Sequence, residues 1–168
     1  MAYRNKTYVA FDGDKDIHYY YLMKAWRNSK HTDFNFYDAH EINSARDTSQ
    51  EESIKRQLRE RLNNAGLFVL LIGESTRYLY KFVKWEIEQA ILRDIPIIAV
   101  NLNGMKKMDN DRCPPVLTSE LAIHIPFKQS IFEYAFEHWP EGHKNHREKN
   151  ESGAYFYKDT VYSSLGIK

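Results

Sequence analysis

A chain of 168 residues has material for one domain with a real core. Its 24 basic and 23 acidic residues leave a formal net charge of +1, so no broad positive field argues for nucleic acid. Cys113 is the single cysteine, which excludes an internal disulfide and a multi-thiolate metal site. No run approaches the ~20 apolar residues that cross a bilayer, and MAYRNKTYVAF lacks the apolar segment of a secretory signal. A cytoplasmic protein without a membrane partner is the expectation.

In chain order, KTYVAF at 6–11 reads as a short strand and DGDKD as a carboxylate-rich turn. Asp14 or Asp16 is placed to cap the helix that follows, IHYYYLMKAWRN, whose apolar face runs through Ile17, Tyr21, Met23 or Leu22, and Trp26. FNFYD at 34–38 is a second short strand ending at Asp38. Thr48 followed by Glu51 matches a capping box and predicts a helix over about 49–63, stopped by Asn63, Asn64 and Gly66. Its basic run KRQLRER reads as a solvated face.

LFVLLIG at 67–73 is a continuous apolar run, the pattern of a central strand covered on both faces. After the turn ESTR, a helix is predicted from about Tyr78 to Arg93–Asp94, followed by another buried strand, IPIIAVNL. An irregular stretch, NGMKKMDNDRCPPVLTSE, precedes a brief edge strand LAIHIP at 121–126 and a terminal helix SIFEYAFEHW at 130–139. Beyond Pro140 the composition turns polar. This divides the chain into a domain over 1–140 and an extension over 141–168 whose tyrosines pack back on the domain or meet a partner.

Strands alternating with helices, with unbroken apolar central strands, predict an α/β fold: a parallel sheet with helices on both faces. Ligands of such sheets gather beyond the carboxyl ends of the strands. Phe11 and Asp12, Asp38, and the turn containing Gly73, Ser75 and Thr76 all fall there.

One carboxylate is out of place. At about 100° per residue, Glu86 falls about 60° from Val83, between Phe82 and Leu79 and inside the apolar arc. Glu88 projects outward. A buried unpaired carboxylate costs several kcal/mol or takes up a proton. Three placements are open for Glu86: pairing with a basic side chain, facing a cleft, or reaching water from the boundary. In a cleft, such an acid can orient a ribose or stabilise the positive charge of an opening glycosidic bond. No Asp or Glu stands close to Glu86 with the i, i+3 or i, i+4 spacing of a metal pair. His138, His143 and His146 have no cysteine or carboxylate at firm spacing to make a zinc site, so no metal is predicted.

In KTYVAFDGDKD, FNFYDAHE, LFVLLIGESTR and YKFVKWEIEQAILRDIPIIAVNLNG, over roughly residues 5–140, the chain resembles the Toll/interleukin-1 receptor (TIR) family. It resembles in particular the bacterial TIR-like branch that includes the TIR protein of the Thoeris anti-phage defence system. The resemblance implies a three-layer, flavodoxin-like domain with a five-stranded parallel sheet. It implies an NAD glycohydrolase or ADP-ribose cyclase that takes NAD as substrate and makes an ADP-ribose-derived, possibly cyclic signal. That signal would act on a separate effector protein, with the enzyme assembling into a homo-oligomer on activation.

Residue by residue, the resemblance implies Glu86 as the catalytic acid, with Phe11, Asp12 and Asp38 beside the nucleotide cleft and Ser75 and Thr76 near phosphate or ribose. The alternative is a non-catalytic interaction or adaptor module, supported by the surplus of tyrosines. It expects a cleft filled by side chains and Glu86 paired with a base. A receiver domain would need an acidic residue at the end of LLIG, which has none.

Overall fold

The computed structural model describes residues 6–26, 35–38 and 51–168, with Lys6 and residues 35–38 as backbone only. Within these, β1 (Lys6–Ala10), α1 (Ile17–Trp26), β2 (Asn35–Asp38), α2 (Glu51–Asn63), β3 (Leu67–Ile72), α3 (Val83–Leu92), β4 (Ile97–Asn101), β5 (Ala122–Pro126), α4 (Gln129–Glu148), β6 (Ala154–Phe156) and α5 (Asp159–Ser164) follow one another. All strand pairs are parallel, in the order β2-β1-β3-β4-β5-β6. The expected five-stranded flavodoxin-like sheet is present, lengthened at one edge by β6. LAIHIP is therefore not an edge strand: β5 pairs with β4 on one side and β6 on the other.

The two-residue period of a strand sorts its side chains onto two cores. Tyr8, Ala10, Phe68, Leu70, Ile97 and Ala99 face α2 and α3, where Ile54, Leu58, Val83 and Ile87 meet them. Val9, Phe11, Val69, Leu71, Ile98 and Val100 face α1 and α4, against Tyr20, Met23, Phe132 and Trp139. Every residue of β3 and β4 is buried, which is why both read as unbroken apolar runs.

Several expectations need correction. On α1 the buried residues are Tyr20 and Met23, while Tyr21 is 57% and Leu22 50% exposed. The inward set follows a three-residue step from Ile17 that the aromatic run conceals. The helix after β3 begins at Val83, not Tyr78: Thr76–Tyr78 form a single 3-10 turn, and Leu79 leaves helical geometry at φ −89°, ψ 78°. The last long helix continues through Pro140 to Glu148. Trp139, His143 and His146 share one face at i, i+4 and i+7. His143 bonds Asp94 at 3.0 Å across the fold and His146 bonds Glu151 at 2.7 Å just beyond the helix end, so the turns after the proline are held from outside the helix. Asn150 ends the run at φ 58°, the left-handed cap that asparagine tolerates.

The proposed capping box starts at Thr48, outside the described residues; α2 is described from Glu51. The extension supplies β6 and α5, whose Tyr162 is buried in the core. Among the described residues no helix is long and apolar enough to cross a membrane.

Candidate active site

The strand order reverses between β1 and β3, so the loops leaving their carboxyl ends diverge and open a cleft there. It has a volume of about 410 Å³, within the usual range for small-molecule sites. One wall is Phe11 to Asp14 and the other Tyr78 to Val83. The ring of Phe11 stacks on Tyr20 at 4.8 Å, which fixes it as a rigid apolar surface. Tyr78 and Tyr80 stand on the rim, 61% and 65% exposed. Lys81 is the one basic side chain among the lining residues.

Within the β1–α1 loop, Asp12 organises the turn that leads to Asp16 and α1. Its Oδ1 accepts the amides of Asp14 at 3.0 Å and Lys15 at 3.3 Å. Asp16 packs on the end of β3, where a Cβ on Gly73 would lie 2.3 Å from its Oδ2. A side chain at this position would have to displace the Asp16 carboxyl. Burial, then the charge of Asp12, raises the Asp16 carboxyl above its usual range.

Glu86 is 1% exposed. The side chain occupies the first turn of α3 and points at the sheet, where the Tyr8 hydroxyl donates to its Oε2. Among the described residues it forms no ion pair. Burial pushes its pKa up to about 8, and the hydrogen bond from Tyr8 offsets only part of that. The acid is therefore largely protonated at neutral pH. It lies one helical turn beyond Phe82 and Val83, which line the cleft; Glu86 itself does not.

The other residues named from sequence divide. Phe11 and Asp12 line the cleft together. The backbone of Asp38 ends β2 opposite Val9, on the far side of β1 from β3. Thr76 is buried, and its hydroxyl is used within the turn: it accepts the Gly73 amide at 2.8 Å and reaches the Leu71 carbonyl at 3.4 Å. Ser75 accepts from the Lys15 ammonium at 2.9 Å, joining the two loops across the mouth of the fold. Neither Ser75 nor Thr76 lines the main cleft.

Sequence reasoning passed over Tyr8 and the wall from Tyr78 to Lys81. For Tyr8 a signal existed: a phenol in the middle of a buried strand needs a hydroxyl partner. The histidines considered for zinc are separately engaged, His143 with Asp94, His146 with Glu151, and His138 against the Tyr134 ring. Among the described residues no cluster of metal-ligating side chains forms.

Residues 8–107 match the family model described as Thoeris protein ThsB, TIR-like domain, a span that contains the cleft, Tyr8 and Glu86. No curated protein matches the chain.

Proposed function

Because the chain belongs to the TIR-like family of the Thoeris protein ThsB, and with it to anti-phage defence signalling, we propose that it is an NAD-cleaving signalling enzyme with Glu86 as its catalytic acid. The observation that carries this reading is a desolvated carboxyl with no cationic partner among the described residues, one turn behind the wall of a ligand-sized cleft. NAD would enter between Phe11 and the Tyr78–Val83 wall, with an aromatic face for a planar ring and Lys81 near its phosphates. Reaching the nicotinamide ribose requires Phe82 or Val83 to yield.

The nicotinamide ring of NAD is cationic. Its approach favours the ionised carboxyl, which releases its proton to solvent. As the C–N glycosidic bond breaks, its electron pair leaves with nicotinamide, and positive charge on the ribose is stabilised by the Glu86 carboxylate. Water or a nucleophile within the same molecule then bonds the anomeric carbon and gives up its proton to the Glu86 carboxylate or to solvent, giving ADP-ribose or a cyclic isomer. That product is the signal to a separate effector protein, and homo-oligomeric assembly in the cytoplasm switches the enzyme on. Ser75 and Thr76 act in this scheme by shaping the turn, and Asp38 by its place beside β1.

Nicotinamide release from NAD by the assembled wild-type protein and by Glu86→Gln tests this reading. Release from the wild type alone is expected; equal release from both overturns the assigned role. A second reading, a non-catalytic interaction module, is favoured by the sealing of Glu86 behind Phe82 and Val83. It is supported if the assembled wild type releases no nicotinamide.

A further inference from the structure

We propose that Tyr8 is a positioning residue for Glu86: its phenol holds the buried carboxyl on the sheet and governs when that carboxyl carries charge. The inference rests on the NAD-cleaving reading and adds to it a residue on the opposite element. The pairing is tertiary, joining β1 to the first turn of α3. Both partners are held from behind. The Tyr8 ring stacks on Phe68 at 5.5 Å with 7° between planes, and the Glu86 amide donates to the Phe82 carbonyl at 2.7 Å. The phenol donates to one carboxyl oxygen, Oε2.

The surroundings make this hydrogen bond decisive. β3 and β4 contribute no titratable side chain to the shared core. From α2, the charge of Arg61 acts on Tyr8, while Lys55 and Arg59 lie over the Trp85 ring at 5.3 and 5.4 Å. Lys84 and Glu88 on α3 point to solvent. The loop packed on α3 brings Cys113, whose buried thiol is pushed up to about 12 and stays neutral. Among the described residues, donation from Tyr8 is thus the one side-chain interaction that favours the carboxylate, against a desolvation that opposes it. A hydrogen bond to the charged form lowers a carboxyl's pKa, so deleting the donor raises it.

Tyr8→Phe removes one oxygen and keeps the ring on Phe68. The infrared carbonyl band of protonated Glu86, assigned by its absence in Glu86→Gln, is followed against pH. In the wild type it is expected at pH 7 and lost at higher pH. In Tyr8→Phe its midpoint moves up by roughly one pH unit, and the acidic limb of kcat for nicotinamide release moves with it, leaving KM for NAD nearly unchanged. Phe68→Leu, which disturbs the ring stack and spares the hydroxyl, leaves the midpoint in place. A ring-fluorinated tyrosine at position 8, a stronger donor of the same shape, moves it down and serves if Tyr8→Phe does not fold. An unmoved midpoint in Tyr8→Phe, or an equal shift in Phe68→Leu, overturns the proposal. If the wild type cleaves no NAD, the enzymatic reading falls, and the infrared midpoints still decide whether Tyr8 governs Glu86.

Discussion

Glu86 sits in the first turn of α3 and Asp94 two residues past its last, and the fold treats the two acids oppositely. At the N-terminus the helix dipole favours an anion, yet Glu86 is driven toward its neutral form because burial outweighs both the dipole and the Tyr8 hydroxyl. Asp94 is in the dipole's unfavourable region and in left-handed backbone at φ 53°. Burial works against its charge too, but the Arg147 guanidinium at 2.8 Å and the His143 ring outweigh it and hold Asp94 below the usual carboxylate range. Position on the helix is therefore the weaker influence. What decides is whether another element delivers a compensating group, and α4 does so for Asp94. The fastened acid docks a helix, whereas the other lies buried one turn behind the wall of a cleft.

The comparison breaks most visibly in turnover. Glu86→Gln is expected to lower nicotinamide release by roughly a hundredfold or more, a typical loss for a group that stabilises developing charge, while Asp94→Asn leaves the rate nearly unchanged. Chromatography of released nicotinamide decides, and similar losses from both would end the distinction.

Stability against pH sharpens the same contrast. The folded pKa of Glu86 is raised from 4.5 to about 8, so its contribution is fully present below the unfolded value and is lost as pH rises through the folded one. Glu86→Gln and wild type should melt together near pH 5 and separate toward pH 9, with the variant about 8–16 °C more stable, for a difference on the order of 4 kcal/mol. Calorimetry across that window checks it; parallel curves would mean that the carboxyl is not desolvated.

Ahead of α3, Thr76→Val removes the acceptor of the buried Gly73 amide and should cost about 1–2 kcal/mol in denaturant unfolding. Asp94→Asn should cost less. The Asp94 side chain is 55% exposed, and solvent screening holds such a pair to about 1 kcal/mol or below. Its folded pKa is lowered from 3.8, so its stabilisation is present above that value and fades as pH falls through the folded one. The two proteins should converge in acid.

Much of the framework is legible in the chain. LFVLLI and IIAVN are β3 and β4, because continuous apolar residues in a run this short suit a strand covered on both faces. Glu86 stands inside an apolar arc by helical geometry alone, and it is buried in the fold. The errors have two physical causes: partners far along the chain, and side chains taken up close by. Pro140 and the polar residues after it signal a helix end locally, but His143 and His146 find acceptors on Asp94 and Glu151. Thr76 looks available beyond a strand end, and its hydroxyl is taken by backbone three and five residues away. Tyr21 and Tyr20 are indistinguishable in a run of tyrosines until the sheet selects one of them.

By itself the sequence determined the periodicities: which runs become central strands, which helix carries an acid on its inner face, and where the strand ends gather polar groups. These depend on residues a few positions apart, which secondary structure brings together whatever the rest of the chain does. Only the tertiary structure decided the charge state of that acid, its pairing with Tyr8, and the wall that separates it from the cleft. Desolvation and long-range hydrogen bonds depend on the elements that pack around a group, and residues 78 positions apart meet only when the sheet has formed.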